Sequence, residues 1–304
     1  MRHEMDIEVD RPPSRIFCFI DYPCNNDCIH CLVGDKKSRP ALDLKELKEM
    51  LDEGLAHCPF VEIGGGEPTL SKKLFPILEY LSKKGATIRL FTNARRLKDK
   101  NFCAKIKVDR FAVTLHSHRK EIHEAITQRR GSFEEMVQGI QNIKALGKTL
   151  EFLLLIHKWN YRELIPLVRF AESFRPSILT FESLHYAGHA VHGPLGIRLS
   201  KLAPQIEKAL EYLEDRIPVA LASYPLCLFH PRYWKYFINM RHRAALHNLT
   251  YHKKWTTVLS SQELGQKCQG CRLNVSCPGV LNTYLAQYGE NELKPFKKQK
   301  AFNL

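Results

Sequence analysis

The chain has 304 residues, 44% of them hydrophobic and 26% charged, enough for one large α/β domain with a small appendage. No apolar run approaches the ~18 residues of a membrane span, and the start "MRHEMDIEVDRPPSR" lacks the apolar centre of a signal peptide, so a cytoplasmic protein with no membrane partner is expected. A net charge of +14 favours an anionic partner without naming one.

In chain order, strand-like runs fall at 15–20, 60–63, 86–91, 110–115, 150–156 and 177–182. Helical periodicity fills the gaps, at about 43–57, 71–84, 98–106, 132–146 and 161–174. Asp43 with Glu46, and Ser132 with Glu135, have capping-box spacing at two helix starts. Several strands are apolar almost throughout, as strands covered on both faces are. Six β/α units in series imply a parallel sheet, too few for a closed eight-fold barrel. The expected fold is therefore α/β, a partial (β/α)6 TIM-like barrel, with a doubly wound sheet as the alternative. The pattern changes near residue 200, which suggests a barrel domain over 1–200 and a smaller domain over 201–304. A helix at about 202–215 precedes "IPVAL", and Arg216 to Gln262 contains no Asp or Glu.

In parallel α/β barrels chemistry gathers at the carboxyl ends of the strands. Every strand end here carries polar residues. Cys24, Cys28 and Cys31 follow the first strand, and "GGGEPTL", Gly64 to Leu70, follows the second. Thr92 and Asn93 follow the third, His116 and Ser117 the fourth, and His157 and Asn160 the fifth. The sixth ends at Glu182, with Ser183, His185 and Tyr186 beyond it.

The ten cysteines form two groups plus Cys18, Cys58 and Cys103, which sit on apolar segments and read as small buried hydrophobes. In a reducing compartment spaced cysteines point to metal rather than disulfides. The first group is C-x3-C-x2-C. Three thiolates can hold three irons of a cubane 4Fe–4S cluster and leave the fourth open to a small ligand. A zinc loop is the bland alternative, and it leaves the glycine run unexplained.

C-x3-C-x2-C after the first strand together with GGGEP after the second resembles the radical S-adenosylmethionine superfamily, over residues 15 to about 185. The resemblance implies that Cys24, Cys28 and Cys31 hold a 4Fe–4S cluster. S-adenosylmethionine would complete the fourth iron, with Gly65, Gly66 and Glu67 meeting its amino group. Ser117 and Asn160 are candidates for the ribose or carboxylate, and Asn93 is a further cofactor-binding candidate. One electron, from a reduced flavodoxin- or ferredoxin-type donor, would cleave the sulfonium to a 5′-deoxyadenosyl radical that takes a hydrogen atom from the substrate. The residue before the third cysteine, often aromatic in the family and near adenine, is His30 here, which suggests a pH-dependent contact.

The second group, Cys268, Cys271 and Cys277 with Cys227 upstream, resembles the auxiliary-cluster modules of SPASM and Twitch type. Four thiolates can close a second 4Fe–4S site; a three-cysteine site open to substrate and a zinc site are the alternatives. The acid-free stretch interleaves Arg232, Tyr233, Trp234, Lys235, Arg241, Arg243, Lys253, Lys254 and Trp255. Such mixing suits RNA, or else a solvated face with its aromatics packed inward.

Glu182, Tyr186 and His116 are the candidates for facing the substrate. Glu182 would orient it or move a proton, and Tyr186 would relay a hydrogen atom or pack. His123 reads as a helix or surface residue. The expected function is a radical S-adenosylmethionine enzyme with one auxiliary cluster, acting on a peptide or small metabolite. RNA modification is the alternative, and a non-enzymatic iron–sulfur sensor binding nucleic acid is the alternative of another class.

Overall fold

The computed structural model describes residues 15–34, 41–191, 193–238, 246–248, 256–258 and 262–297. Its frame is seven parallel strands: β1 (Ile16–Asp21), β2 (Phe60–Gly65), β3 (Thr87–Thr92), β4 (Arg110–Thr114), β5 (Leu150–Ile156), β6 (Ile178–Ser183) and β7 (Val219–Ala222). Helices α1 (Leu44–Leu55), α2 (Leu74–Lys83), α3 (Lys100–Lys105), α4 (Lys120–Thr127), α5 (Ser132–Ala145), α6 (Leu164–Ser173) and α7 (Leu199–Leu213) lie between them in sequence. The capping box at Asp43 forms, with Glu46 N–H donating to Asp43 and Asp43 N–H to Glu46. At Ser132 it does not: Gly131 is the N-cap, and the Ser132 hydroxyl is buried against Thr127 Oγ1 at 2.7 Å.

The spatial order β7-β6-β5-β4-β3-β2-β1 follows the chain without reversal. A doubly wound sheet reverses at a switch point; a monotonic order keeps the crossovers on one side and curls the sheet, giving the partial barrel. The parallel sheet continues through β7, beyond residue 200. Past β1, two short strands extend the other edge, β8 (Leu246–Asn248) parallel to β1 and β9 (Thr256–Val258) antiparallel to β8. Two shorter strands, β10 (Gln262–Glu263) and β11 (Val280–Leu281), pair antiparallel and lead into α8 (Asn282–Tyr288). None of the described helices is long and apolar enough to cross a membrane.

Strand alternation sends one set of side chains under the helices and the other into the concave face. Ile16, Cys18, Ile20, Val61, Ile63, Ile88 and Leu90 belong to the first set and form the core with the helices. Cys18, Cys58 and Cys103 are buried, as expected. The register aligns Phe17 with Glu62, Glu62 with Arg89, and Ala112 with Glu151, so these residues share the concave face. There Arg89 bridges two buried carboxylates, Glu62 at 2.8 Å and Glu151 at 2.6 Å, with Arg15 and Arg110 each 3.2 Å from one of them. Phe17, Phe19 and Phe91 cluster beside this network.

Both carboxylates are about 2% exposed, so their charges need the guanidinium between them. Arg89→Met should destabilise the fold by about 3 kcal/mol in chemical denaturation, because it strands two buried anions at once. A loss below about 1 kcal/mol would mean that Arg15 and Arg110 suffice to neutralise them.

Candidate functional site

The cysteine loop leaves the carboxyl end of β1 and is fixed from four directions. Asp27 and Ile29 donate their amides to Thr127 O and Ile126 O, at 2.9 and 3.0 Å, tying the loop to the end of α4. Gly66 and Glu67 donate theirs to Asp21 O and Pro23 O, at 2.9 and 2.8 Å. His189 N–H reaches Cys31 O at 3.1 Å. Arg95, just past β3, donates to Asn25 O and to Asn26 Oδ1.

The glycines of GGGEP serve this docking. A Cβ at Gly65 would lie 2.2 Å from Asp21 O, and one at Gly66 would lie 2.0 Å from Tyr22 O. Gly65 also has φ +130°, a conformation that L side chains rarely adopt. The close approach that the glycine run permits is therefore to the start of the cysteine loop. Gly188 has the same task after β6: with φ +57°, its Cβ would sit 2.3 Å from Cys31 O.

Cys24, Cys28 and Cys31 are partly exposed. Asn26 N–H donates to Cys24 Sγ and Gly34 N–H to Cys31 Sγ, each at 3.4 Å, and Asn93 Nδ2 lies 3.8 Å from Cys24 Sγ. Amide donors aimed at sulfur favour thiolates and the sulfurs of a bound cluster, so the loop fits such a group. The Cys28 sulfur lies within 4.8 Å of ring nitrogens of His30 and His116.

His30, His116 and His123 form a row, with ring centroids 4.8 and 5.4 Å apart. Burial pushes His30 and His123 down to about 4 and His157 to about 3, and it holds His116 well below the usual imidazole range. All four rings are therefore neutral at physiological pH. Two expectations change with this. His123 lies on a helix, α4, as one of its two readings had it, but it is buried there rather than on the surface. His30 offers an uncharged ring, so its contact does not switch near neutrality.

The remaining rim residues divide by what already holds them. The Glu67 carboxylate is about 1% exposed and accepts from Thr69 N, Thr69 Oγ1, Thr92 Oγ1 and Asn93 N, all within 3.1 Å. It ties the β2 loop to the end of β3 rather than standing open to an ammonium group; burial pushes it up and these donors hold it down. Asn160, a candidate for the ribose or carboxylate, donates to His116 O and Leu155 O and accepts from His157 N, so its amide braces two strand ends. Ser117 Oγ accepts from Arg119 N at the entry to α4. Asn93 Nδ2 bonds Asn25 Oδ1 at 2.7 Å and remains at the mouth.

Tyr186 follows the packing alternative. Its hydroxyl both accepts from Ile197 N and donates to Ile197 O, at 3.1 Å each, and its ring meets Tyr284 and Tyr288 of α8. Glu182 stays partly exposed on the concave face, where Ser223 Oγ donates to it at 2.8 Å. The sequence reading missed Arg95 and Ser223. Both follow strand ends, Arg95 two residues after Asn93 and Ser223 directly after β7, a strand not counted in the barrel.

Cys227, Cys268, Cys271 and Cys277 line one cavity with Leu226, Leu264, Leu273, Val280 and Phe296. Leu226 N and Gly279 N donate to Cys277 Sγ and Lys294 N to Cys227 Sγ, each at 3.4 Å. Burial, with the other three thiols adding to it and the Lys294 amide opposing it, pushes Cys227 up to about 11. Four thiols gathered on one largely apolar cavity suit a metal-rich cluster, whose positive charge stabilises thiolates. In the acid-free stretch, Arg232 pairs with Glu211, Lys235 with Asp215 at 2.8 Å, and Trp234 packs edge-on against Phe296. That is the packed-face alternative for these residues; Arg241, Arg243, Lys253, Lys254 and Trp255 lie outside the described residues.

Residues 23–171 match the family described as the Radical SAM superfamily. Mycofactocin maturase MftC of Mycobacterium tuberculosis is 30% identical over 133 residues, covering 42% of this chain and 34% of that protein, so only about a third of that relative's length is matched. A probable GTP 3′,8-cyclase of Sulfurisphaera tokodaii is 27% identical over 220 residues, covering 71% of this chain and 67% of that protein. The fold is similar to that of Streptococcus suis SuiB bound to precursor peptide SuiA, with TM-score 0.70, 16% identity, and 96% of this chain and 76% of that chain covered. An amide-lined thiol loop at the mouth of a partial barrel lies inside the matched segment, and residues 23–171 form a radical SAM domain.

Proposed function

We propose that the chain cleaves S-adenosylmethionine reductively and uses the resulting radical to modify a peptide. The observation that carries this reading is two cysteine sets of different design on one chain, a three-thiol loop at the barrel mouth and a four-thiol cavity. When bound, a 4Fe–4S cluster with S-adenosylmethionine supplies one-electron cleavage to a 5′-deoxyadenosyl radical able to take a hydrogen atom from substrate. The chain's residues do the rest. Cys24, Cys28 and Cys31 hold the cluster, and the amides of Asn26 and Gly34 ease the charge on two sulfurs. His30 and His116 give the pocket neutral rings suited to a heterocycle. Cys227, Cys268, Cys271 and Cys277 hold the auxiliary cluster. One-electron chemistry calls for a reduced flavodoxin- or ferredoxin-type donor.

The maturase relatives favour a peptide as substrate. A small nucleotide is the second reading, supported by the longer match to the probable GTP cyclase. Incubation with candidate precursor peptides and with GTP separates the two: a mass change in a peptide supports the first, and conversion of GTP replaces it with the second.

Anaerobically reconstituted and reduced, the protein should form 5′-deoxyadenosine from S-adenosylmethionine. Cys24→Ala, Cys28→Ala or Cys31→Ala should lower this by about 100-fold or more. No 5′-deoxyadenosine from the wild type with any reductant would favour the non-enzymatic sensor. Cys268→Ala with Cys271→Ala should remove about four irons per chain while leaving the cleavage measurable; unchanged iron content would sink the auxiliary assignment.

The pH dependence follows from the same burial. His30 is depressed to about 4, so its neutral form is present above that value and is lost only as pH falls through it. Affinity for S-adenosylmethionine should therefore be flat from about pH 6 to 8 as far as this ring is concerned. A step near pH 6.5 that disappears in His30→Phe would contradict the buried, neutral ring.

A further inference from the structure

The carboxyl ends of β6 and β7 carry polar side chains that neither cysteine set uses. Glu182 aligns with Ala222 across these strands and, through Thr180, Leu153 and Glu151, shares the concave face. Its side chain is 27% exposed. Ser223 Oγ donates to Oε1 at 2.8 Å, whereas the His185 ring, 3.8 Å from the same oxygen, is beyond hydrogen-bond reach. Among the described residues Oε2 accepts no hydrogen bond and no Lys or Arg pairs with this carboxylate, in a chain with 46 Lys and Arg.

Two neighbours mark the position as built. Ser223 is 7% exposed and held at φ 68°, the left-handed region that a residue other than glycine rarely takes. Such strain persists only where surrounding structure imposes it, and it is found preferentially where a side chain must be aimed. Tyr224, the next residue, is fully buried against Phe229, yet its hydroxyl has no hydrogen-bond partner. Burial, together with the nearby Glu182 charge, keeps that phenol protonated, able to donate and to accept. Buried hydroxyls without partners are uncommon and costly. A half-open carboxylate, a strained serine donating to it and a buried tyrosine nearby in sequence mark a position built for a polar contact.

We propose that Glu182, aimed by Ser223, receives a cationic nitrogen of the substrate: a lysine ammonium, an amino terminus or an arginine guanidinium. The inference rests on the barrel mouth being the substrate site. A charged donor is the fitting guest because hydrogen bonds between a cation and a carboxylate are about twice as strong as neutral ones. In these roles Glu182 touches substrate, and Ser223 is a positioning residue acting through it.

The test is equilibrium binding to the full-length, cluster-loaded protein with S-adenosylmethionine present. The probes are N-acetyl-lysine methylamide against its norleucine counterpart, and N-acetyl-arginine methylamide against its citrulline counterpart. The wild type should bind the charged member of each pair about tenfold more tightly. Glu182→Gln should bring the ratio to within about twofold. Ser223→Gly should lower it about threefold or more while Tm stays level or rises, since glycine takes φ 68° without strain; a purely structural role for Ser223 would leave the ratio unchanged. Equal binding of charged and neutral probes by the wild type, binding of neither, or a ratio that survives Glu182→Gln would overturn the proposal. Formation of 5′-deoxyadenosine without any probe is measured separately, so failure of the radical chemistry and failure of cation recognition give different results.

Discussion

The site depends on one backbone docking. The amides of Gly66 and Glu67 bond the carbonyls of Asp21 and Pro23, and the space a side chain would fill at Gly65 or Gly66 is taken by that same segment. This contact fixes where β1 ends and where Cys24 begins. The Glu67 carboxylate extends it to β3 through Thr92 and Asn93, and Asn93 in turn reaches Asn25. Three strand ends thus share a hydrogen-bonded rim, and the cysteine loop hangs from it. A rim bonded through backbone amides and buried side chains holds its geometry better than one depending on mobile side chains, which suits a loop that must present three sulfurs in fixed relation.

The C-terminal segment is joined to this rim by packing and by short polar contacts. Tyr186, just past β6, is held by Ile197 and wedged between Tyr284 and Tyr288. Tyr284 OH accepts from Leu199 N, at the start of α7. From Tyr186 the chain runs through Gly188 and His189 to contact Cys31. The helix beside the four-cysteine cavity and the three-cysteine loop are thus linked within a few residues. The cavity itself draws Cys227 from the loop after β7 and the other three thiols from beyond β10, so it forms only when the barrel edge and the tail meet.

The concave face is graded in polarity. Its interior carries the Arg89 network and the phenylalanines, and its mouth carries neutral histidines, the thiols and Glu182. Most of the charge on this face is internally paired. Glu182 is the exception among the residues described above, which is what gives it chemical interest. Removing water from such a mouth strengthens every polar contact that remains.

Much of this was legible from the chain alone. The six strand runs, the two cysteine groups and the glycine run are local patterns: periodicity, spacing and composition are properties of neighbouring residues, and no distant contact is needed to read them. What a polar rim residue does is not local. Glu67 and Asn160 sit where ligand-binding residues sit, yet their hydrogen bonds run to other strands, and only the assembled rim determines whether a carboxylate or amide is already engaged. His123 has a helical pattern with an ambiguous face, and its burial is decided by α5 and the strand ends packing over it. Ser223 carries no sequence signal, because its strain and its partner exist only once β7 lies beside β6. Local pattern alone was enough for the six strand runs, the family resemblance and the two cysteine sets. Tertiary structure decided which polar groups are already satisfied and which one faces the mouth unpaired, because hydrogen-bond satisfaction is settled between segments far apart in the chain.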